Sequence, residues 1–492
     1  MQASRLCYTA RAMPSFWVHT FGCQMNAHDS DRMSEVLVSH GWSPSSDVAE
    51  ADLVVFNTCS VREKAEQKLR SEVGKLAPLK ERRPEVVIAV AGCVAQQEGE
   101  KLLARSHLID LVVGPDNLAE LPALALEQRA GALPRVSAQF DLESPQFLAA
   151  MPVRGRAPVS AYVTTMKGCD ERCSFCVVPY TRGPERYRPA REIVEEIARW
   201  VAAGSREVTL LGQTVDSYRD PSLPPPASDD PDESQFPALL RLIAREVPTL
   251  ARLRYTSPHP RHATASLAAA HAEFDVLARH VHLPSQSGSD RMLKRMIRRY
   301  TRAEYVLRAN RLRDARPGMT LSTDIIVGFC GETDEDFAAT LSLVREVGFT
   351  SLFGFKYSPR PLTPALKLPD DVPESLKSDR LALLFELSES NTRAHLATMV
   401  GTRQRVLVEG ASKNGDRVQG RTERNEIVHV DTHPEIDFVG AIVEVEILRA
   451  NKHSLEGIAT DATLAALPRR STPTAKTTAP LPAAAPRHLP LL

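Results

Sequence analysis

From residue 14 to about residue 130, short apolar runs alternate with amphipathic stretches. "SFWVHTFG" precedes "DSDRMSEVLVSHG", "ADLVVFNT" precedes "VREKAEQKLRSEVGKL", "VVIAVAG" precedes "QQEGEKLLARS", and "LVVG" closes the series. Continuous apolar runs of this length mark strands covered on both faces, and the amphipathic stretches supply the covering helices, so the pattern predicts an open parallel α/β sheet. A linker containing proline and glycine follows, "SPQFLAAMPVRGRAP". The alternation then resumes to about residue 360 with "AYVTTMKG", "EVTLLG", "LRYTSP", "HVHLPS", "TLSTDIIVGF" and "LFGFKYSP". Helical patterns separate these runs, as in "REIVEEIARWVAAG", where Ile193, Ile197, Trp200 and Val201 share a face. Such a series predicts a parallel barrel, complete or incomplete, with function on the loops after the strands. "YRDPSLPPPASDDPDESQF" breaks the pattern and reads as a surface insertion. Beyond a helical segment ending near Ala397 the period shortens. "RQRVLVEG", "RVQGRTE", "EIVHVDT", "AIVEVEILRAN" and "SLEGIAT" predict a small closed barrel of the oligonucleotide-binding type. The end, "PRRSTPTAKTTAPLPAAAPRHLPLL", is of low complexity and is expected to be disordered.

Length and charge narrow the class. A chain of 492 residues accommodates two to four domains. Lys+Arg and Asp+Glu both number 61, and no run is long and apolar enough to span a membrane. The start has no continuous apolar stretch of the secretory kind, and eight cysteines are too sparse for a disulfide scaffold, so the chain is expected in the cytoplasm. The even charge hides local asymmetry. Residues 291–316, "RMLKRMIRRYTRAEYVLRANRLRDAR", and "TRGPERYRPAR" further upstream are basic. They are either solvated helix and loop charges or a track for a polyanion.

The cysteines change the picture most. "FGCQMN", "NTCSVR" and "AGCVAQQ" set Cys23, Cys59 and Cys93 at the ends of the first three strand candidates. Parallel strands point the same way, so these thiols are expected along one sheet edge, where such folds bind ligands; the alternative is three buried structural cysteines. "MKGCDERCSFCVVPY" places Cys169, Cys173 and Cys176 after the first strand of the second series. A four-iron cluster takes four thiolates, so three leave one iron open to an outside ligand. A zinc site would need a fourth ligand, which "VVPYTRG" does not offer, and a redox Cys-x-x-Cys pair is the other alternative.

C-x-x-x-C-x-x-C in this setting resembles the radical S-adenosylmethionine (SAM) enzymes. "HLPSQSGSDRMLKRM", "TDIIVGFCGETDEDF", "YSPRPLTPA" and the N-terminal cysteine trio extend the resemblance to the methylthiotransferase branch, over residues 14 to about 462. Within it, "FGCQMNAHDS" and "NTCSVREKAEQK" resemble the tRNA-2-methylthio-N6-dimethylallyladenosine synthases, the MiaB type. The resemblance implies an α/β chain in three parts: an N-terminal open parallel sheet domain with a second cluster (residues 14–135), a radical SAM partial (β/α)6 barrel (155–397) and a small all-β TRAM barrel that binds RNA (398–462), before a tail (463–492). It implies two 4Fe-4S clusters, one on Cys169, Cys173 and Cys176 that forms a 5′-deoxyadenosyl radical from SAM, and one on Cys23, Cys59 and Cys93 that delivers methylated sulfur. The substrate implied is tRNA with N6-dimethylallyladenosine at position 37, near the anticodon, methylthiolated at C2. An electron donor such as flavodoxin or ferredoxin is implied as partner, no membrane is, and a monomer suffices. Gln213 and Gln286, on loops after barrel strands, are candidate SAM contacts or loop-stabilising amides. Arginines after Cys176 and in the basic segment are candidate phosphate contacts, with Lys413, Arg417 and Arg421 in the last barrel. Methylthiolation of a ribosomal protein and a non-catalytic iron–sulfur RNA scaffold are the alternatives. The chain departs from the family pattern at Cys330, where proline is usual, at Leu362, where glycine is usual, and in "GQTVDSY".

Overall fold

The structure, a computed structural model, describes residues 13–469 except 61–62, 144–146, 148–156, 227, 413–414 and 434. These residues form two compact units. The first comprises the described chain up to Phe147 together with Tyr180–Arg182, the second the remainder.

In the first unit six parallel strands, β1 (Ser15–Phe21), β2 (Ser43–Pro44), β3 (Leu53–Thr58), β4 (Val87–Gly92), β5 (Leu111–Val113) and β6 (Arg135–Ser137), lie in the order β2-β1-β3-β4-β5-β6. Every residue of β3 and β4 is buried, which is why their sequences show no alternation. Val54, Phe56, Ile88 and Val90 face one core, and Leu53, Val55, Val87 and Ala89 face the other, against Met33 and Leu37 of helix α1 (Gln24–Ser39). Each such Val, Leu or Ile contributes about 1.5–3 kcal/mol of burial. The four apolar runs are β1, β3, β4 and β5; β2 and β6 are additional edge strands of two and three residues. Register places Phe21 opposite Thr58 and Thr58 opposite Gly92, so the three strands end level.

The second unit holds six parallel strands and a hairpin. Strand β7 (Ser160–Thr164) runs into β8 (Met166–Lys167), which pairs antiparallel with β9 (Arg186–Tyr187). With β10 (Glu207–Leu211) and β11 (Arg252–Tyr255), β7 forms a sheet ordered β11-β10-β7. A second sheet runs β12 (His280–His282), β13 (Thr320–Val327), β14 (Ser351–Lys356), and a parallel bridge, Leu253 to Leu277, joins the β11 edge to the segment leading into β12. Spatial order follows chain order, and the result is an incomplete parallel barrel. The expected surface insertion is exposed only at its tip: Tyr218 is fully buried, Asp220 accepts from the Ala190 amide, and Asp232 pairs with Arg308 at 2.7 Å.

Five further strands, β15 (Arg403–Ala411), β16 (Arg417–Arg421), β17 (Ile427–Asp431), β18 (Ile442–Ala450) and β19 (Leu455–Ala459), close a barrel in the order β15-β16-β17-β19-β18 around Val406, Val408, Val428, Val443 and Ile447. It is tied to the larger barrel by backbone carbonyls. Arg252 donates to Arg421 O at 3.1 Å and Arg254 to Thr422 O at 2.8 Å, while Glu207 lies 3.3 Å from Arg252 and 2.9 Å from Arg254. Burial would raise the Glu207 carboxyl, but the two guanidiniums outweigh it and hold it at about 2. A short helix, Asp461–Ala466, extends into the span expected as tail; residues 470–492 lie outside the described part, as do Lys413 and most of the expected linker.

Candidate active site

The β8–β9 hairpin pinches off a loop that carries three cysteines. At its start Gly168 has φ +80°, and a Cβ there would sit 1.9 Å from Pro184 O, so any other residue would force the loop open. The Gly168 amide donates to Gln213 Oε1 at 2.6 Å, and the Cys169 amide to Gly183 O at 3.1 Å. Cys173 and Cys176 are joined by a turn, the Cys176 amide donating to Cys173 O at 3.1 Å. Ser174 anchors the loop through its amide to Met296 O and its hydroxyl to Arg295 O. The sulfurs have polar company: Cys169 Sγ is 2.8 Å from Thr214 Oγ1, and Arg298 Nη1 donates to Cys173 Sγ at 3.3 Å. Burial, then the neighbouring Cys173, pushes the Cys176 thiol up to about 12; burial and Cys176 push Cys169 up as well. Three thiolates this close repel one another and are poorly solvated, so the donor set calls for a cationic centre.

The second set is assembled from distant sequence. Cys23 follows β1 and caps α1, Cys59 follows β3, and Cys93 follows β4. Gly92 has φ +88°, and a Cβ on it would lie 2.3 Å from Asn57 Oδ1, so the step into Cys93 requires glycine. Buried amides fix the strand ends, with Asn26 Nδ2 donating to Asn57 Oδ1 at 3.1 Å and Asn57 Nδ2 to Asn26 O at 2.8 Å. A hydrogen bond with Cys59, against the effect of burial, brings the Cys23 thiol down to about 6. Burial raises Cys93, opposed by Arg182, whose Nε donates to Cys93 Sγ at 3.3 Å. Arg182 Nη2 also donates to Asp29 Oδ2 at 2.6 Å, and this charge offsets the burial of Asp29 and holds its carboxyl at about 2.

All six expected cysteines therefore fall into two groups of three. Among the described residues no three His, Cys, Asp or Glu side chains converge on a single metal ion. A multi-iron cluster asks for something else, one sulfur for each of three irons, and three thiols with a guanidinium beside them in each group fit it. Gln213 has its oxygen committed to Gly168, while its buried Nε2 has no partner among the described residues. Gln286 adopts φ +70°, a strained conformation held by backbone bonds to Asp324 O and from the Ile326 amide. Cys330 lies buried among Met292, Met296, Phe329 and Tyr357.

A cluster of ionisable groups was not singled out in the sequence. Asp216, after β10, is fully buried; its Oδ1 accepts from the His259 amide at 2.7 Å and its Oδ2 has no partner among the described residues. Burial raises its carboxyl to about 7. His259, after β11, is kept neutral chiefly by burial, and its Nε2 is likewise unpartnered among the described residues. Glu171 lies 3.3 Å from Arg261 and 3.6 Å from His262. "GQTVDSY" and "TSPHPRH" each follow a strand, a signal that could have found these residues.

Many cations of the basic segments have carboxylate partners. Arg291 pairs with Asp336, Arg302 with Glu346, Arg308 with Asp232 and Arg316 with Asp275, while Arg188 pairs with Glu196. In the last barrel Arg417 pairs with Asp431 at 2.9 Å and Arg421 with Glu409 at 3.2 Å. Several of the partner carboxylates lie at the surface, Asp275 fully exposed, where such pairs are weak.

An incomplete parallel barrel with a three-cysteine loop after its first strand defines a radical SAM protein, and the comparisons agree. Family models match residues 15–114 (Uncharacterized protein family UPF0004), 163–344 (Radical SAM superfamily) and 397–460 (TRAM domain). The chain is 62% identical over 472 residues to the tRNA-2-methylthio-N(6)-dimethylallyladenosine synthase of Sorangium cellulosum, covering 92% of this chain and 95% of the relative. Proteins of the same name match from Acidithiobacillus ferrooxidans (46% identical, 90% and 97% covered) and Neisseria meningitidis serogroup B (44%, 90% and 99%). Among solved structures, the radical S-adenosylmethionine methyltransferase TsrM of Kitasatospora setae, with cobalamin and a 4Fe-4S cluster bound, shares the fold at TM-score 0.53 and 16% identity, over 72% of this chain and 77% of that one. The chain belongs to the tRNA-2-methylthio-N(6)-dimethylallyladenosine synthase family.

Proposed function

We propose that this chain installs a methylthio group at C2 of N6-dimethylallyladenosine in tRNA, in the cytoplasm, with Cys169, Cys173 and Cys176 holding one 4Fe-4S cluster and Cys23, Cys59 and Cys93 a second. A C2–H bond in an aromatic ring yields to neither acid nor base, and a reduced cluster with an open iron supplies, with SAM, the one-electron chemistry that does open it. The chain's own residues set up that chemistry. Thr214 and Arg298 hold the sulfurs of Cys169 and Cys173. Gln213, braced by Gly168, keeps Nε2 available for SAM, and the strained backbone at Gln286 presents a second amide after β12. Burial of Cys169 and Cys173 keeps water from the reacting region. The C-terminal barrel adds tRNA affinity, and a flavodoxin- or ferredoxin-like protein delivers electrons.

The observation that carries this reading is the pair of three-thiol groups, one on the loop closed by the β8–β9 hairpin and one at the ends of β1, β3 and β4, within a chain 62% identical to a relative of that name. The test is anaerobic reconstitution followed by nucleoside mass spectrometry. Dimethylallylated tRNA should gain the mass of a methylthio group, and unmodified tRNA should not. Product on a ribosomal protein and none on tRNA would overturn the reading.

A further inference from the structure

Arg182 follows Cys176 closely in sequence, yet it packs within the first unit, on Cys93 and Asp29. Its exposure is 4%, and a guanidinium so deeply buried is costly unless its charge is met. One countercharge is Asp29, at 2.6 Å from Nη2. The fork geometry then directs Nε at Cys93 Sγ, 3.3 Å away. A neutral thiol is a weak acceptor, whereas a thiolate in the same place makes a charge-assisted hydrogen bond. The arrangement is therefore better matched to a ligating sulfur than to a free one.

We infer that Arg182 is a positioning residue for the Cys23–Cys59–Cys93 centre, orienting the Cys93 sulfur and stabilising the more negative, reduced form of the cluster bound there. This rests on the reading that those cysteines hold a second cluster. Asp29 sets the direction of the fork and limits how much of its charge reaches the sulfur. Hydrogen bonds to ligand sulfurs are a principal means by which a protein sets the potential of such a centre. A "TR" step at 181–182, far in sequence from the three cysteines it serves, thus becomes part of their site.

The experiment uses the full chain with Cys169, Cys173 and Cys176 changed to Ala, reconstituted anaerobically, so that only the N-terminal centre remains. Iron and sulfide are counted, and the midpoint is read by redox titration followed by electron paramagnetic resonance. Arg182→Gln should lower the ratio of reduced to oxidised cluster about tenfold at a fixed potential, a downward shift of the midpoint of about 59 mV for one electron. Arg182→Lys, which keeps the charge but not the directed N–H, should shift it less and retains the measurement if Gln impairs folding. In the complementary chain lacking Cys23, Cys59 and Cys93, neither substitution should move the midpoint of the remaining centre. An unchanged N-terminal midpoint with full iron in Arg182→Gln would overturn the inference, as would equal shifts at both centres. If the background chain binds no iron at all, the two-cluster reading itself fails, a result distinct from an unmoved midpoint.

Discussion

The two groups of three cysteines are assembled by opposite routes. Cys169, Cys173 and Cys176 share one loop, fixed by a hairpin, by Gly168 and by Ser174. Cys23, Cys59 and Cys93 come from three strand ends and meet only because β1, β3 and β4 stop level. The first group depends on local backbone geometry, the second on the register of a whole sheet. A parallel sheet slipped by one residue would turn its side chains to the wrong face, so the second group is the more exposed to errors of folding.

Separating the groups by mutation gives the largest expected effect. Cys169→Ala, Cys173→Ala and Cys176→Ala together should halve the iron and abolish SAM cleavage, measured as 5′-deoxyadenosine. The corresponding triple change at Cys23, Cys59 and Cys93 should abolish methylthiolated nucleoside while cleavage of SAM persists; its disappearance with the loop cluster intact would break the comparison. Next in size are changes that spare the sulfurs. Asn57→Ala strands the buried Asn26 amide and should cost about 2–3 kcal/mol, with iron lost from the strand-built group alone. Gly168→Ala should cost more than about 2 kcal/mol through its positive φ and the Pro184 contact, with iron lost from the loop-built group alone. Site-resolved electron paramagnetic resonance distinguishes the two.

A pH test sharpens the contrast between local and global support in the second unit. Glu207 has its carboxyl lowered to about 2, so its contribution is complete above about pH 4.3 and is lost as pH falls from there toward 2. Glu207→Gln should cost on the order of 2 kcal/mol at pH 7 in urea denaturation and flatten the acid limb, without changing iron at either group. The smallest effect is expected at Leu362, which occupies φ +69°. Leu362→Gly relieves that strain at some cost in chain entropy and should stabilise by about 0.5 kcal/mol, read as a small rise in Tm.

The same contrast governs what the sequence reveals. The loop group is legible from spacing alone. The strand-end group is legible because each cysteine directly follows an apolar run, and parallel strands share a direction. The edge strands Ser43–Pro44 and Arg135–Ser137 carry no pattern, being too short to have a period. Asp216 and His259 escape notice because one acid and one histidine after strands look like ordinary loop residues until burial leaves Asp216 Oδ2 and His259 Nε2 without a partner among the described residues. The pairing of the basic segments is hidden for a related reason. Arg302 and Arg308 look free along the chain, but Glu346 and Asp232, which neutralise them, lie far away in sequence. The proline-rich insertion is polar enough to suggest solvent, although Tyr218 at its root is fully buried.

The closure of the last barrel bears on how the chain is made. β19 lies between β17 and β18, pairing parallel with one and antiparallel with the other. Until Leu455–Ala459 has emerged from the ribosome, both neighbours present bare amide and carbonyl rows, the kind of edge that recruits a stranger's strand. The final strand acts as a keystone, and synthesis that stalls before Leu455 should yield an association-prone nascent chain even though everything upstream has had time to fold.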